Sequence, residues 1–472
     1  MRDAVRVLTD RARVAQRGWA AQDRHERSRR LRLVRAELAR RAGELADATA
    51  AETGKPATDA LFEVGAGCAM VGWVAANAHR HLRDRRVPTR PFVVKRARVQ
   101  YAPLGVIGVI APWNYPIGIP LQSMPFALGA GNAVVFKPSE LTPQTGRILA
   151  ACFQPAGEDV VVLAEGDGSV GAGLVTSGID KLVFTGSPDT ARRILSAAAQ
   201  DLLPVVLELG GKDAMVVCDD ADVAHAAAAA VGAAFGNAGQ TCMASERVLV
   251  VDAVYDRFVE EVVARTDALR VGASPDANVG PVARLQQLDL VESRLDAAIR
   301  GGAKVLTGGH RLPDGPGYFA PAVVADVPRD ADLWCEESFA PVLCLARVRD
   351  EEEAVAIAND SKFGLSSSVF TRDRARAERL SRRIEAGGVN VNDAMTGAAL
   401  AGLPFGGVKQ SGYGRLQGPE GLHALSRVTA VVEPRSIRLP STVGMMFAGR
   451  RPRRAVVERA IRLIYGQKRA AR

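Results

Sequence analysis

The sequence predicts an α/β fold built on parallel sheets, and three observations carry that expectation. Short β-branched runs at 104–111, 134–136, 160–163 and 182–184 are separated by Ala-rich helical segments such as 142–153. Strands that alternate with helices are joined by crossovers and pair in parallel. A second alternating series begins after Glu208: strand 214–218, helix 222–235, strand 247–252, helix 254–269, and onward to about Pro404. Finally, 472 residues are too many for one ordinary core, so two or three domains are expected.

Taken in order, residues 1 to about 85 read as helices, with long Ala/Arg/Leu/Glu runs broken at Gly54-Lys55-Pro56. The pattern turns strand-like over 91–101. Residues 104–111 form a β-branched, Gly-interrupted buried strand that stops at Pro112. After Pro404, a strand-like run over 428–433 is closed by Pro434, and a tail follows.

Apolar residues make up 47% and charged residues 24%, an ordinary globular balance. Six cysteines, at 68, 152, 218, 242, 335 and 344, show neither paired nor metal-ligand spacing, and six histidines are scattered singly. Free thiols in a reducing, cytoplasmic compartment are expected, with no metal. The start, Met1-Arg-Asp-Ala-Val-Arg, lacks the apolar centre of a signal peptide and runs on as helix to about residue 50. No stretch approaches 18 apolar residues, so no membrane span is expected.

The net charge of +9 is localised. Residues 449–472 hold nine Lys/Arg against Glu458 alone, so this tail carries eight of the nine charges. A near-neutral body argues against a general nucleic-acid surface. Within the tail, Val457, Ile461 and Ile464 fall at i, i+4 and i+7, one apolar stripe on an arginine-rich helix. Such a helix over 450–472 suits peripheral contact with an anionic membrane, or packs on a partner subunit.

The chemistry centres on Phe235-Gly-Asn-Ala-Gly-Gln-Thr-Cys-Met-Ala-Ser-Glu-Arg-Val248. It places Cys242 between a helical run and a strand, among glycines that let a substrate reach the backbone. The plain alternative is a small buried cysteine. What favours a nucleophile is Leu207-Glu-Leu-Gly-Gly-Lys212, 34 residues upstream, whose Glu208 ends an apolar strand. Partial desolvation there would raise its carboxyl pKa toward that of a general base; the alternative is a strand-end Glu paired to Lys212. No G-x-G-x-x-G follows a strand, so a standard dinucleotide turn is not expected.

These segments occur in order with Trp113-Asn-Tyr-Pro116, Phe136-Lys-Pro-Ser-Glu140, Phe184-Thr-Gly-Ser187, Glu336-Glu-Ser-Phe339 and Pro404-Phe-Gly-Gly407. Together they resemble the aldehyde dehydrogenase superfamily over roughly residues 10 to 435, and the short N-terminus resembles its class 3 branch. The resemblance implies two Rossmann-like α/β domains with parallel sheets and a small bridging, oligomerisation sheet. Residues 1–87 with 104–207 would bind the dinucleotide, and 208–404 would be catalytic. Residues 88–103 with 424–436 would bridge subunits into a homodimer or higher homo-oligomer, leaving 437–472 as a basic tail.

The implied reaction is NAD(P)-dependent oxidation of an aldehyde to the acid. Cys242 is the implied nucleophile, Asn114 and the Cys242 N–H the oxyanion donors, and Glu208 the base. On the cofactor side the resemblance implies Trp113, Lys137, Ser139, Glu140, Gly186, Ser187, Leu209, Glu337 and Phe339. Glu140 and Lys137 suit ribose hydroxyls, and Glu140 would repel a 2′-phosphate, which favours NAD; class 3 relatives also accept NADP. Two positions depart from the pattern: Ala191 and Ala340 stand where glycine is usual. Tyr115, Met124, Thr241, Met243 and Phe405 are the implied substrate-tunnel residues, with plain core as the alternative for the first four. The competing functions are a CoA-acylating or esterase-like member, and a catalytically silent structural or membrane-associated homologue. The aldehyde itself is not fixed by these residues.

Overall fold

The computed structural model describes residues 2–90, 92–274, 276–436 and 454–465. The chain divides into two compact units: residues 1–81 with 103–426, and residues 82–102 with 427–472. Both α/β sheets therefore lie in the first unit.

That unit opens on four helices, Arg2–Ala21, Arg24–Arg40, Ala42–Thr53 and Ala57–His81. Asp23 caps the second by accepting from the His25 N–H. Gly54, at φ 75°, ends the third in the left-handed conformation that glycine adopts without a Cβ penalty. Pro56 follows, and the fourth helix begins at Ala57. Contrary to the sequence expectation, this 25-residue helix is long and apolar enough to cross a membrane. It is a core helix instead: Val64, Met70, Val71 and Val74 are buried. Its large apolar residues are spaced among alanines and glycines, so the hydropathy is high without a continuous run of large apolar side chains.

The first sheet has six strands in the order Gly412–Tyr413, Val205–Glu208, Lys181–Thr185, Val106–Ile110, Ala133–Lys137, Val161–Leu163. All pair in parallel except the first, which runs antiparallel to Val205–Glu208. A parallel sheet is covered on both faces, so its strands are apolar throughout rather than alternating. Ala133–Lys137 is buried at every position, the lysine included.

The second sheet has seven strands in the order Lys304–Thr307, Ala322–Ala325, Val342–Val348, Ser245–Val251, Asp213–Val217, Ser366–Phe370, Gly388–Val391. Only the Lys304–Thr307 edge is antiparallel. The helix read at 254–269 runs Asp252–Asp267. Asp252 starts it because a carboxylate is favoured against the positive end of a helix.

In the smaller unit, Arg85–Val87, Lys95–Pro103 and Ser426–Pro434 form a three-stranded sheet in that order. Arg98 ties it together by pairing with Asp84 and Glu433. This unit also holds the helix Arg454–Tyr465. The rest of the tail, 437–453 and 466–472, lies outside the described residues.

Candidate active site

The loop that carries Cys242 is fixed by its backbone. Asn237, Ala238 and Gly239 take positive φ values of 52°, 55° and 70° in succession. Left-handed conformations at the first two cost roughly 1–2 kcal/mol each. Gly239 is required: a Cβ there would lie 2.2 Å from the Ala340 carbonyl oxygen. Gln240 then pins the loop. Its Nε2 donates to Asn237 O at 2.9 Å and Pro281 O at 3.3 Å, and its Oε1 accepts from Ala283 N at 2.8 Å. Directly after the loop, Ser245–Val251 enters the second sheet buried along its whole length.

Asn114 arrives from the first sheet, on the turn that follows Val106–Ile110. It is buried, and its Nδ2 donates to Gln240 O at 2.9 Å. One amide hydrogen is spent on that bond, and the other is left for a ligand. Glu208 ends Val205–Glu208, where its carbonyl accepts from Gly186 N at 3.1 Å. Lys212 does not pair with it; that lysine forms a buried ion pair with Glu246. Both Glu208 carboxylate oxygens are buried with no hydrogen-bond partner among the described residues. Gly406 makes room for them, since a Cβ there would lie 2.8 Å from Oε1.

Burial raises the Glu208 carboxyl well above the usual range, with Arg415 opposing. Cys242 is half-buried, open to the cavity and enclosed elsewhere. That enclosure, and then the carboxyls of Glu337, Asp213 and Glu208, push its thiol up. Glu337, also half-buried, is raised to about 8 by burial and by Glu246.

One cavity of about 750 Å³ contains Cys242, Asn114 and Glu208 together. That size suits a small-molecule or cofactor site. Its far end lies at the carboxyl ends of the first sheet, lined by Lys137, Ser139, Glu140, Gly186 and Ser187. Lys137 Nζ lies 3.4 Å from Glu140 Oε2. Ser187 caps the helix Pro188–Ala198 by accepting from the Thr190 N–H, so helix-end amides face the cavity. Ala191 is buried in that helix and does not line the cavity, so its methyl leaves the cofactor side free.

Trp113, Leu209, Glu337 and Phe339 complete the lining among the expected residues. The Trp113 and Phe339 rings meet edge-on at 5.8 Å. The loop behind Phe339 is held by Glu246, whose carboxylate accepts from the Ser338 and Phe339 N–H groups. A dinucleotide fits this donor set: a cation and carboxylate at a buried strand end, a helix N-terminus, and two rings in edge-on contact.

The expected tunnel residues do not line this cavity. Tyr115 and Thr241 hydrogen-bond to each other at 2.8 Å. Met124 is a correction: it is fully buried at the start of the helix Met124–Gly129, in the core. Ile119, one helical turn past Tyr115, lines the cavity and went unread, as did Arg193, Arg284 and Gln287. None of these four stands in a recognisable motif.

Two largely parallel α/β sheets, with an unpartnered carboxylate and a cysteine beside a strained loop on one cavity, are the arrangement of a dinucleotide-binding oxidoreductase. The aldehyde dehydrogenase family model matches residues 2–431, and the chain belongs to that family. It is 38% identical over 420 residues to a 4,4'-diapolycopene aldehyde oxidase of Methylomonas sp, covering 88% of this chain and 78% of that protein. The NAD-dependent aldehyde dehydrogenase from Sinorhizobium meliloti superposes with TM-score 0.89 at 33% identity, over 93% of this chain and 89% of that one. An NADP-dependent enzyme of E. coli gives TM-score 0.88 at 33% identity, over 92% and 90%. The protein is an NAD(P)-dependent aldehyde dehydrogenase.

Proposed function

We propose that Cys242 adds to the aldehyde carbonyl and that Glu208 activates the water that later releases the acid. The observation that carries this reading is the buried Glu208 carboxylate, unpartnered and in one cavity with Cys242 and Asn114. Sulfur bonds to the carbonyl carbon as the thiol proton passes to solvent water, and the oxyanion so formed is stabilised by Asn114 Nδ2 and the Cys242 N–H. One such donor is typically worth about 3 kcal/mol. Bound nicotinamide dinucleotide supplies the hydride acceptor, held by Lys137, Glu140, Ser187 and Glu337. Glu208 takes a proton from water as that water attacks the resulting thioester, and the carboxylic acid leaves with Cys242 restored as a thiol.

For the aldehyde we infer an apolar chain. The Methylomonas sp relative is named for an aldehyde of 4,4'-diapolycopene. Leu61 and Phe62 are exposed on the helix Ala57–His81, as are Leu400 and Leu403 on the loop whose Gly402 lies against Trp73 of that helix. A kcat/KM panel should rank long aliphatic aldehydes at least about tenfold above carboxylated ones of equal length, a gap of roughly 1.4 kcal/mol. A preference for the carboxylated set would remove the apolar reading.

We also propose that the C-terminal helix rests on an anionic lipid surface. Around Arg454–Tyr465, the apolar side chains Val456, Val457, Ile461, Leu463, Ile464 and Tyr465 fall on one arc, interrupted by Arg454 of the first turn, with Arg459 and Arg462 on the opposite face. All six are exposed. Charge complementarity selects the partner, at about 1 kcal/mol per basic residue near an anionic surface. Full-length protein should co-sediment with phosphatidylserine-containing vesicles and lose that binding at high salt or without residues 450–472. Equal binding by the truncated protein would overturn it.

A further inference from the structure

We propose that the buried pair Lys55–Glu63 is a positioning device that sets the turn bearing the oxyanion donor. It rests on the role given above to Asn114 and goes beyond it, because neither Lys55 nor Glu63 lines the cavity that holds Cys242.

Among the described residues, the side-chain hydrogen bonds that the pair makes beyond itself all go to the Asn114 turn. Lys55 sits between two helices, fixed by Gly54 before it and Pro56 after it. Its Nζ donates to Glu63 Oε1 at 2.6 Å and to the Asn114 carbonyl at 2.6 Å, and lies 4.4 Å from the centre of the Tyr115 ring. Glu63, on the helix Ala57–His81, turns its other oxygen to the far side of the same turn. There Oε2 accepts from Gly118 N at 3.1 Å and Ile117 N at 3.3 Å. The turn is thus held at both ends by one ion pair, with Asn237 Nδ2 adding a second bond to the Asn114 carbonyl at 3.0 Å. Both charged side chains are under 5% exposed.

A buried ion pair is weak evidence for stability, since desolvation offsets most of its attraction and apolar residues of similar volume often serve as well. What such residues cannot do is hold a carbonyl and two N–H groups in fixed directions. The peptide after Asn114 is gripped by a cation, and the start of the next helix by a carboxylate. Asn114 Nδ2 is aimed from between them.

The test is a double-mutant cycle read on the NADH burst in a single turnover, which reports acylation alone. Lys55→Met with Glu63→Leu removes both charges, leaving no unpaired ion to unfold the protein. This double variant should keep its dinucleotide affinity and melting temperature near wild type while the burst rate falls roughly 10- to 100-fold, a part of the roughly 10²–10³-fold that losing one oxyanion donor outright costs. In an Asn114→Ala background the same two changes should cost less than about threefold, because the group they aim is gone. A wild-type burst rate in the double variant, or an undiminished loss in the Asn114→Ala background, would overturn the proposal. If Asn114→Ala alone leaves the burst unchanged, the oxyanion assignment itself fails, which is a different result.

Discussion

Cys242→Ser is expected to lower aldehyde-dependent NADH formation by at least about 10³-fold while dinucleotide binding survives. The change is one atom, but a serine hydroxyl is a far weaker acid and a far weaker nucleophile than a thiol. Binding should persist because Lys137, Glu140, Ser187 and the Trp113–Phe339 pair lie along the rest of the cavity and do not depend on the sulfur. Dinucleotide affinity by fluorescence quenching, beside steady-state turnover, checks both halves. Turnover within tenfold of wild type would end the nucleophile assignment.

Glu208→Gln is expected to separate the two halves of the reaction. Loss of a positioned base costs about 10²–10⁴-fold, and that cost should fall on thioester hydrolysis. A stoichiometric NADH burst should be followed by a steady state slower by that factor, with the acyl mass recovered on the Cys242 peptide. Wild-type steady-state rate should fall as pH drops through the raised Glu208 pKa, because only the ionised carboxylate accepts a proton; the glutamine variant should show no such limb. An unchanged steady state, or acyl-CoA as product when CoA is added, would exclude water activation by Glu208.

The same substitution has an opposite effect on stability. A carboxyl whose pKa is higher in the folded chain than in the unfolded one, where it is ~4.3, releases its proton on unfolding. Stability therefore falls as pH rises from that value toward the raised one. Glutamine removes the cost, so the variant should melt about 1–3 °C higher at pH 8, with the gain fading toward pH 4.

Much of this was legible because parallel strands write themselves as apolar runs. Residues 134–136 and 182–184 were readable as strands, and Ala133–Lys137 and Lys181–Thr185 are strands. The motifs found the site because glycines record where backbones pass closely, as at Gly239 against Ala340. Packing beyond the motifs left no such trace. Met124 has the composition of a tunnel residue, yet it opens a helix that turns it into the core. Lys55 and Glu63 look like any two surface charges eight residues apart; only the fold buries them beneath Asn114. Lys212 offered itself as the partner of Glu208, and Glu246, 34 residues on, takes it instead.

The crowd of carboxyls beside Cys242 has a bearing on durability. Peroxides attack the thiolate and spare the thiol, and the further steps to sulfinic and sulfonic acid are irreversible. Enclosure, and then Glu337, Asp213 and Glu208, favour the thiol over the thiolate at Cys242, so slow reaction with peroxide is the expected result for the resting enzyme. A resting molecule should then outlast a busy one under peroxide, which residual activity after exposure with and without both substrates would check.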